Sequence, residues 1–295
     1  MKAAAALAVA ALIGCRPAQA PAPRTALQAE PAPLPVAMPL PGIRVEGRFI
    51  QGGLATGTAP DATAALLVDG QAIPLAEGGR FLLGFDRDHG PKAVVEARLA
   101  DGRTLRREIA VAARTWRIEH VNVAQRPSTA SADYLRRRER ELARIGAARA
   151  QGAQSSGWSQ RFIWPASGRI SGVFGSQRVY RGVPAAYHSG VDIAAASGAT
   201  VVAPADGVVV LAGPPAFSLE GNLVILDHGM GLNSAFLHLS GTVVREGQSV
   251  RQGEAIGSVG ATGRATGPHL HWSMKWTEAR IDPAILTATP APQGR

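Results

Sequence analysis

Short apolar runs separated by turn residues fill most of the chain after its first forty positions. Over residues 43–123 these runs alternate with polar stretches, and the Asp-Gly dipeptides at 69–70 and 101–102 are typical of hairpin turns between strands. The pattern predicts a small antiparallel β-sandwich over residues 42–125. This segment contains no cluster of acids, bases or nucleophiles that would indicate a catalytic site.

A helical pattern follows the predicted sandwich. From Ser131 to Ala150 a few apolar residues lie among many charges, and Ser131 is a favoured N-cap residue. We therefore expect a basic linking helix, residues 128–152. Further along, strand-like runs and glycines return, and they predict an antiparallel β-sheet domain over residues 160–287 with a flexible tail, residues 288–295. The expected fold class is mainly β: a sandwich, a linking helix and a C-terminal sheet domain.

The beginning of the chain has the features of a bacterial export signal. Lys2 precedes an apolar run, and the sequence "LIGC" resembles a lipobox, so residues 1–14 are predicted to be a lipoprotein-type signal peptide with Cys15 as the lipidated residue. A competing cleavage site follows Ala20, but the proline after it is unfavourable there. Proline and alanine dominate residues 15–41, which predicts an extended tether. We expect an exported protein of a Gram-negative envelope, anchored by lipid and facing the periplasm.

The chain has 295 residues, a formal net charge of +9 and a single cysteine. That one cysteine excludes an intrachain disulfide. Residues 1–159 carry +7 of the net charge, and the arginines of the predicted helix supply much of it. Because this excess lies away from the candidate chemistry described below, we expect no nucleic-acid partner. We interpret the arginines as a solvated helix face, with contact to an anionic envelope polymer or to lipid headgroups as the alternative.

Three separate segments contain the candidate chemistry. His269 and His271 are separated by one apolar residue, and on a strand such positions share a face. His188 and Asp192 lie four positions apart with a glycine between them, and His238 ends a strand-like run. Imidazole nitrogen and carboxylate oxygen are both good zinc donors. Each segment taken alone is also compatible with an ordinary structural histidine.

Together these segments resemble the lysostaphin and LytM type zinc endopeptidases, the β-lytic metallopeptidase family. The resemblance covers roughly Phe162 to Leu286. It rests on the stretches "SGVFGSQR", "HSGVDIAA", "APADGVVV", "GNLVILDHGMGLNSAFLHLS" and "VREGQSVRQGEAIGSVGATGRATGPHLHW".

The resemblance implies that His188, Asp192 and His271 hold one Zn²⁺ per chain, with His238 and His269 as the catalytic pair. Chemistry agrees with this division, because three protein ligands leave a fourth zinc position open, as in catalytic sites. A histidine that is not a ligand can then act as general base or acid. Which of the two takes the proton is left open by the sequence.

The function implied by the resemblance is cleavage of the peptide crosslinks of peptidoglycan, at a D-alanyl to meso-diaminopimelyl bond. The expected partners are peptidoglycan peptide stems, the membrane through a lipid anchor at Cys15, and an envelope protein. One alternative is a non-catalytic envelope regulator that binds the wall and activates another hydrolase, although such relatives typically lack zinc ligands. A second alternative is a biotinyl or lipoyl carrier domain, which Val244 to Gly260 also resembles. A carrier needs a lysine in a tight turn, whereas Lys275 lies on the predicted histidine strand.

Overall fold

The computed structural model of the chain describes residues 42–124 and 130–287. The predicted signal peptide, Cys15, the tether and the C-terminal tail from residue 288 lie outside the described residues, as does the beginning of the predicted linking helix. Among the described residues, no helix combines the length and the apolar character that a membrane span requires.

The first half forms the expected antiparallel β-sandwich. Its strands are β1 (Arg44–Gly47), β2 (Leu54–Thr58), β3 (Thr63–Val68), β4 (Gln71–Ile73), β5 (Arg80–Gly84), β6 (Lys92–Leu99) and β7 (Thr104–Ala110). One sheet has the order β1-β2-β5 and the other β4-β3-β6-β7. Alternation explains the packing: Ala93, Val95 and Ala97 of β6 are fully buried and share one core with Phe81 and Leu83 of β5. The prediction of a sandwich is confirmed.

Two elements connect this sandwich to the second half. They are β8 (Ile118–Val121) and α1 (Ala132–Arg149). The helix begins as the sequence predicts, because the side chain of Ser131 accepts a hydrogen bond from the backbone N–H of Tyr134. Short 3₁₀ helices lie at Glu77–Gly79, Gly157–Ser159 and Pro283–Ile285.

The second half is built from many short strands. They are β9 (Arg169–Gly172), β10 (Gln177–Tyr180), β11 (Val183–Pro184), β12 (Val191–Ala194), β13 (Thr200–Val202), β14 (Gly207–Leu211), β15 (Asn222–Asp227), β16 (Leu232–Leu239), β17 (Gly241–Thr242), β18 (Ser249–Val250), β19 (Ala255–Ser258), β20 (Leu270–Trp276) and β21 (Ala279–Ile281). The main sheet has the order β18-β14-β15-β16-β20-β12-β9, with β21 added beside β20. A smaller sheet, β13-β19-β17, shares a core with it that includes Trp272, Phe236 and Ile193.

The two halves are joined by backbone pairing and by buried charges. Strand β8, which the sequence places in the sandwich, pairs instead in parallel with β10 of the second half. Arg87 of the sandwich is buried, and its Nε donates to the carbonyl of Gly175 at 3.0 Å. Arg114 donates to the Asp282 carboxylate at 2.9 Å. These contacts fix the sandwich beside β10, which borders the groove described next.

Candidate metal centre and active site

Two neighbouring strands of the main sheet place a carboxylate opposite an imidazole. Strands β12 and β20 run antiparallel, and their register places Asp192 opposite His271. Along β20 the apolar residues Leu270, Trp272 and Met274 are buried in the core. His271 therefore lies on the other face of the strand, as the alternation in the sequence predicts.

A third donor comes from the segment before β12. His188 Nε2 lies 3.0 Å from Asp192 Oδ1 and 3.1 Å from His271 Nδ1. His271 Nδ1 lies 2.8 Å from Asp192 Oδ1. One ligand atom from each of the three side chains lies within 4.8 Å of the other two. Two imidazole nitrogens and one carboxylate oxygen are the donor types found at catalytic zinc sites, so the residues present fit a zinc ion.

Two glycines provide the space for this cluster. A Cβ on Gly190 would overlap the backbone carbonyl of Trp272 and lie 2.8 Å from His271 Nε2. A Cβ on Gly172 of β9 would overlap the Asp192 carboxylate. The small size of Gly190 is therefore what the site requires at this position. The sequence does not indicate the role of Gly172, because its strand lies apart from the motif.

The other two histidines of the prediction lie beside this cluster. The ring centroids of His238 and His269 are 4.8 Å apart, and His238 is 6.3 Å from His271. His269 Nε2 lies 3.9 Å from Asp192 Oδ1, which is farther than either His188 or His271. The structure thus brings all five predicted site residues together and divides them into a three-residue cluster and an adjacent pair.

Backbone carbonyls orient three of the imidazoles in the same way. Nδ1 of His188 is 3.1 Å from the Val173 carbonyl, and Nδ1 of His238 is 2.9 Å from the Thr262 carbonyl. Nδ1 of His269 is likewise 2.8 Å from the carbonyl of Gly267. Since a carbonyl only accepts, each Nδ1 carries a proton, and in the neutral form of each ring Nε2 is the atom with the lone pair. These carbonyl partners carry no side-chain signal that sequence reasoning could use.

Burial and charge act in opposite directions on the cluster. Burial alone would raise the pKa of Asp192, but hydrogen bonds from His188 and His271 outweigh it and hold that pKa well below its usual range. Burial alone would lower the pKa of His188, yet the hydrogen bond to Asp192 raises it overall. Burial lowers the pKa of His271 and of His238. The carboxylate is therefore ionised, and burial keeps His271 and His238 biased toward their neutral forms.

An open groove contains the five residues and continues past β10. Arg178 and Arg264 line it near the histidines, and Glu119 of β8 pairs with Arg178 at 2.8 Å. Tyr187 also faces the groove, where its hydroxyl donates to Asp86 of the sandwich at 3.1 Å. Residues of the first half thus contribute directly to the groove, which the sequence did not predict.

Comparison with known proteins agrees with the resemblance predicted from the sequence. Residues 186–283 match Peptidase family M23. Over 129 residues the chain is 40% identical to the DD-carboxypeptidase/endopeptidase Mpg of Neisseria meningitidis, covering 42% of this chain and 28% of that protein. Over 116 residues it is 39% identical to the peptidoglycan DD-endopeptidase ShyA of Vibrio cholerae, covering 39% of this chain and 26% of that protein. The chain thus spans little more than a quarter of the length of either relative.

A solved structure extends the likeness to most of the chain. A Pseudomonas aeruginosa protein assigned to peptidase M23 superposes with a TM-score of 0.62 at 31% sequence identity. The match covers 80% of this chain and 93% of that one, so it includes more than the segment with the histidines. The resemblance predicted from the sequence is confirmed, and the chain belongs to peptidase family M23, a family of metallopeptidases.

Proposed function

We propose that this protein is a zinc-dependent endopeptidase that cleaves the peptide crosslinks of peptidoglycan. The observation that carries the proposal is the convergence of His188, Asp192 and His271, whose donor atoms lie within 4.8 Å of one another at the base of an open groove. Names of the relatives agree, since Mpg and ShyA are both described as endopeptidases and ShyA as acting on peptidoglycan.

The proposed ligands are His188 through Nε2, Asp192 through Oδ1 and His271 through Nδ1, with one zinc ion per chain. A zinc ion held by these three residues would polarise a peptide carbonyl and would lower the pKa of a water molecule toward neutral pH. The carbonyl of Val173 orients the His188 ring so that Nε2 would face the ion.

His238 and His269 are proposed to handle protons beside the metal. Their Nδ1 atoms are held by the carbonyls of Thr262 and Gly267, so that only Nε2 of each ring is available to exchange a proton. Peptide hydrolysis needs one group that takes a proton from the attacking water and one that gives a proton to the leaving amine. Two adjacent imidazoles with centroids 4.8 Å apart satisfy both needs.

Charge in the groove favours an acidic peptide as substrate. Arg178 and Arg264 line the groove, and Arg178 is paired with Glu119 of β8. The carboxylate of Glu220 is likewise paired with Arg138 of α1, so Arg264 is the proposed partner for a substrate carboxylate. Peptide stems of peptidoglycan carry free carboxylates, including one on a D-alanyl to meso-diaminopimelyl crosslink. Arginine is the side chain best suited to bind a carboxylate through two hydrogen bonds.

The proposed location is the bacterial envelope, where peptidoglycan lies. Lipidation of Cys15 would anchor the chain to a membrane, with residues 15–41 as tether, and an envelope protein is a further proposed partner. These elements rest on the sequence alone.

Digestion of purified peptidoglycan by the full chain tests the proposed function. We expect release of crosslink-cleaved muropeptides, loss of that activity with a chelator, recovery with zinc, and about one zinc per chain by elemental analysis. His271→Ala should lower the rate of cleavage on the order of 1,000-fold or more, because the variant lacks one of the proposed zinc ligands. His120→Ala, an exposed histidine on β8, is the matched control. Lytic activity that survives in His271→Ala would exclude this mechanism, and zinc binding without cleavage would favour the regulator.

A further inference from the structure

A loop between β14 and β15 supports two residues of the groove through its backbone. This loop, residues 216–221, is called the β14–β15 loop below. The carbonyl of Glu220 accepts the backbone N–H of His238 at 2.8 Å, and the carbonyl of Leu219 accepts the backbone N–H of Arg264 at 2.9 Å. Glu220 and Leu219 also line the groove themselves. The position of the loop therefore sets the position of His238.

His238 depends on such support because of its backbone conformation. Its φ is 63°, in the left-handed region that residues other than glycine rarely adopt. A conformation of this kind persists only where the surroundings hold it in place. Three contacts hold it here: the Glu220 carbonyl accepts its backbone N–H, its own carbonyl accepts the N–H of Thr262 at 3.4 Å, and the Thr262 carbonyl binds its ring.

Helix α1 holds the β14–β15 loop with three side chains. Arg138 donates two hydrogen bonds to the Glu220 carboxylate, both at 2.6 Å. Glu141 accepts from the backbone N–H of Ser218 at 2.8 Å and from its hydroxyl at 2.6 Å. Arg137 donates to the loop's first carbonyl, that of residue 216, at 3.1 Å.

The Arg138–Glu220 pair is the strongest of these contacts. Its side chains are only 16% and 15% exposed, and the guanidinium binds both carboxylate oxygens. Paired charge-assisted hydrogen bonds fix distance and orientation together, and partial burial protects them from screening by salt. The pair joins residues 82 positions apart. It also joins α1, which lies outside the matched segment 186–283, to the candidate catalytic centre.

We propose that Arg138 of α1 is a positioning residue for His238, acting through Glu220 and the β14–β15 loop. The role rests on the proposed function, since it assigns a catalytic task to His238. Helix α1 is then more than a connection between the two halves, because one of its side chains sets the geometry of the proton-handling pair. Loss of this contact leaves the zinc ligands in place and displaces His238.

Arg138→Met tests the proposal, because methionine keeps the apolar stem and removes both hydrogen-bond donors. With a soluble crosslinked muropeptide as substrate, we expect kcat to fall about 10- to 100-fold, since small misplacements of a catalytic group have effects of this size. Zinc per chain should stay at the wild-type value, since the zinc ligands keep their side chains, and kcat should fall by a larger factor than KM rises, the rise in KM coming from the Glu220 carboxylate that the variant leaves unpaired in the groove. Arg140→Met on the same helix, where the side chain is exposed, is the matched control and should leave kcat unchanged.

A second readout does not depend on turnover. The Nδ1–H of His238, held by the Thr262 carbonyl, should give a histidine-ring NMR signal that shifts or broadens in Arg138→Met and stays unchanged in Arg140→Met. If Arg138→Met does not fold, Glu220→Gln weakens the pair without removing a side chain and should give an intermediate fall in kcat. Wild-type kcat and an unchanged ring signal in the folded Arg138 variant, or wild-type kcat in Glu220→Gln, would overturn the proposal. A wild-type protein that cuts no peptidoglycan would instead refute the proposed function, while the NMR comparison still tests the positioning.

Discussion

At the scale of single residues, the histidines of this protein differ in what surrounds them. His228 follows β15 in sequence and is completely buried, with Nδ1 2.7 Å from the Asp206 carbonyl and Nε2 2.8 Å from the Ser234 hydroxyl. Burial lowers its pKa from the ordinary 6.5 to about 4, because the charged imidazolium loses its hydration. Its environment is that of a core histidine, unlike the groove histidines around Asp192.

This environment predicts a pH-dependent stability. Above pH 6.5 His228 is neutral in both folded and unfolded chains and contributes no pH dependence. Between pH 6.5 and about 4 the unfolded chain binds a proton that the folded chain does not, so stability falls as the pH falls. The full effect is about 3 kcal/mol. In His228→Gln the unfolding free energy, measured by urea denaturation at several pH values, should lose about this much of its pH dependence.

The variant differs from the wild type only at residue 228, so the contributions of all other groups cancel in the comparison. The exposed His120 provides the control, and His120→Gln should keep the wild-type pH dependence. Parallel curves for wild type and His228→Gln would show that this histidine does not titrate as described.

At the scale of elements, strands β12 and β20 contribute two of the proposed zinc ligands, and much of this arrangement could be predicted from the sequence. Alternation along the strand placed His269 and His271 on the groove side, and it placed the apolar residues between and after them in the core. The contacts that complete the site could not be predicted in the same way. Gly172 matters only because another strand brings Asp192 against it, and Arg138 meets its partner 82 positions away. Such contacts follow from the packing of distant segments and leave no local pattern.

The contacts of the arginines on α1 could not be predicted either, since they too involve distant segments. They were expected to form a solvated face, but Arg138 is bound to Glu220, and Arg144 donates to Glu246 at 3.1 Å. The N-cap residue and the spacing of apolar residues located the helix correctly. They did not show which face of the helix packs against the protein, because arginine is frequent both in water and in partly buried ion pairs.

Gly190 packs closely against β20, and this contact predicts the effect of a larger side chain at position 190. Alanine there would overlap the Trp272 carbonyl and press on the His271 ring, so β12 must move away from β20. We expect Gly190→Ala to lower the unfolding free energy by about 2 kcal/mol, as overpacked sites generally do. It should also reduce zinc per chain after dialysis. Gly241→Ala is the control, since nothing lies within 4 Å of the added methyl group. A Gly190→Ala protein with wild-type stability and zinc content would contradict the steric argument.

At the scale of the whole molecule, buried charges hold the two halves together. Asp282 is 6% exposed and pairs at 2.9 Å with Arg114, which is 27% exposed. Asp282 also receives the backbone N–H of Ala284, and its own N–H donates to the Gly52 carbonyl. Removing one partner of such a pair leaves a buried charge with part of its solvation lost.

Arg114→Met should therefore lower the unfolding free energy by about 2 kcal/mol, less than a fully buried pair would lose because the arginine is partly exposed. Adding Asp282→Asn, which keeps an oxygen for Ala284, should recover part of the loss. Guanidinium denaturation of the wild type, both single variants and the double variant measures the coupling. Arg103→Met is the control, because Arg103 and Asp101 form an exposed pair and the effect should be smaller. Strictly additive losses would show that the pair is not coupled.

The pairing of β8 with β10 bears on how this protein can be shortened. A catalytic fragment that starts at residue 160, where the sequence suggests a domain boundary, would lack the strand that covers one side of β10. The backbone amides and carbonyls of Gln177–Tyr180 that face β8 would then be open to solvent next to the groove, and an uncovered strand edge of this kind can pair with another chain. A fragment that keeps this side of β10 paired has to begin before Ile118.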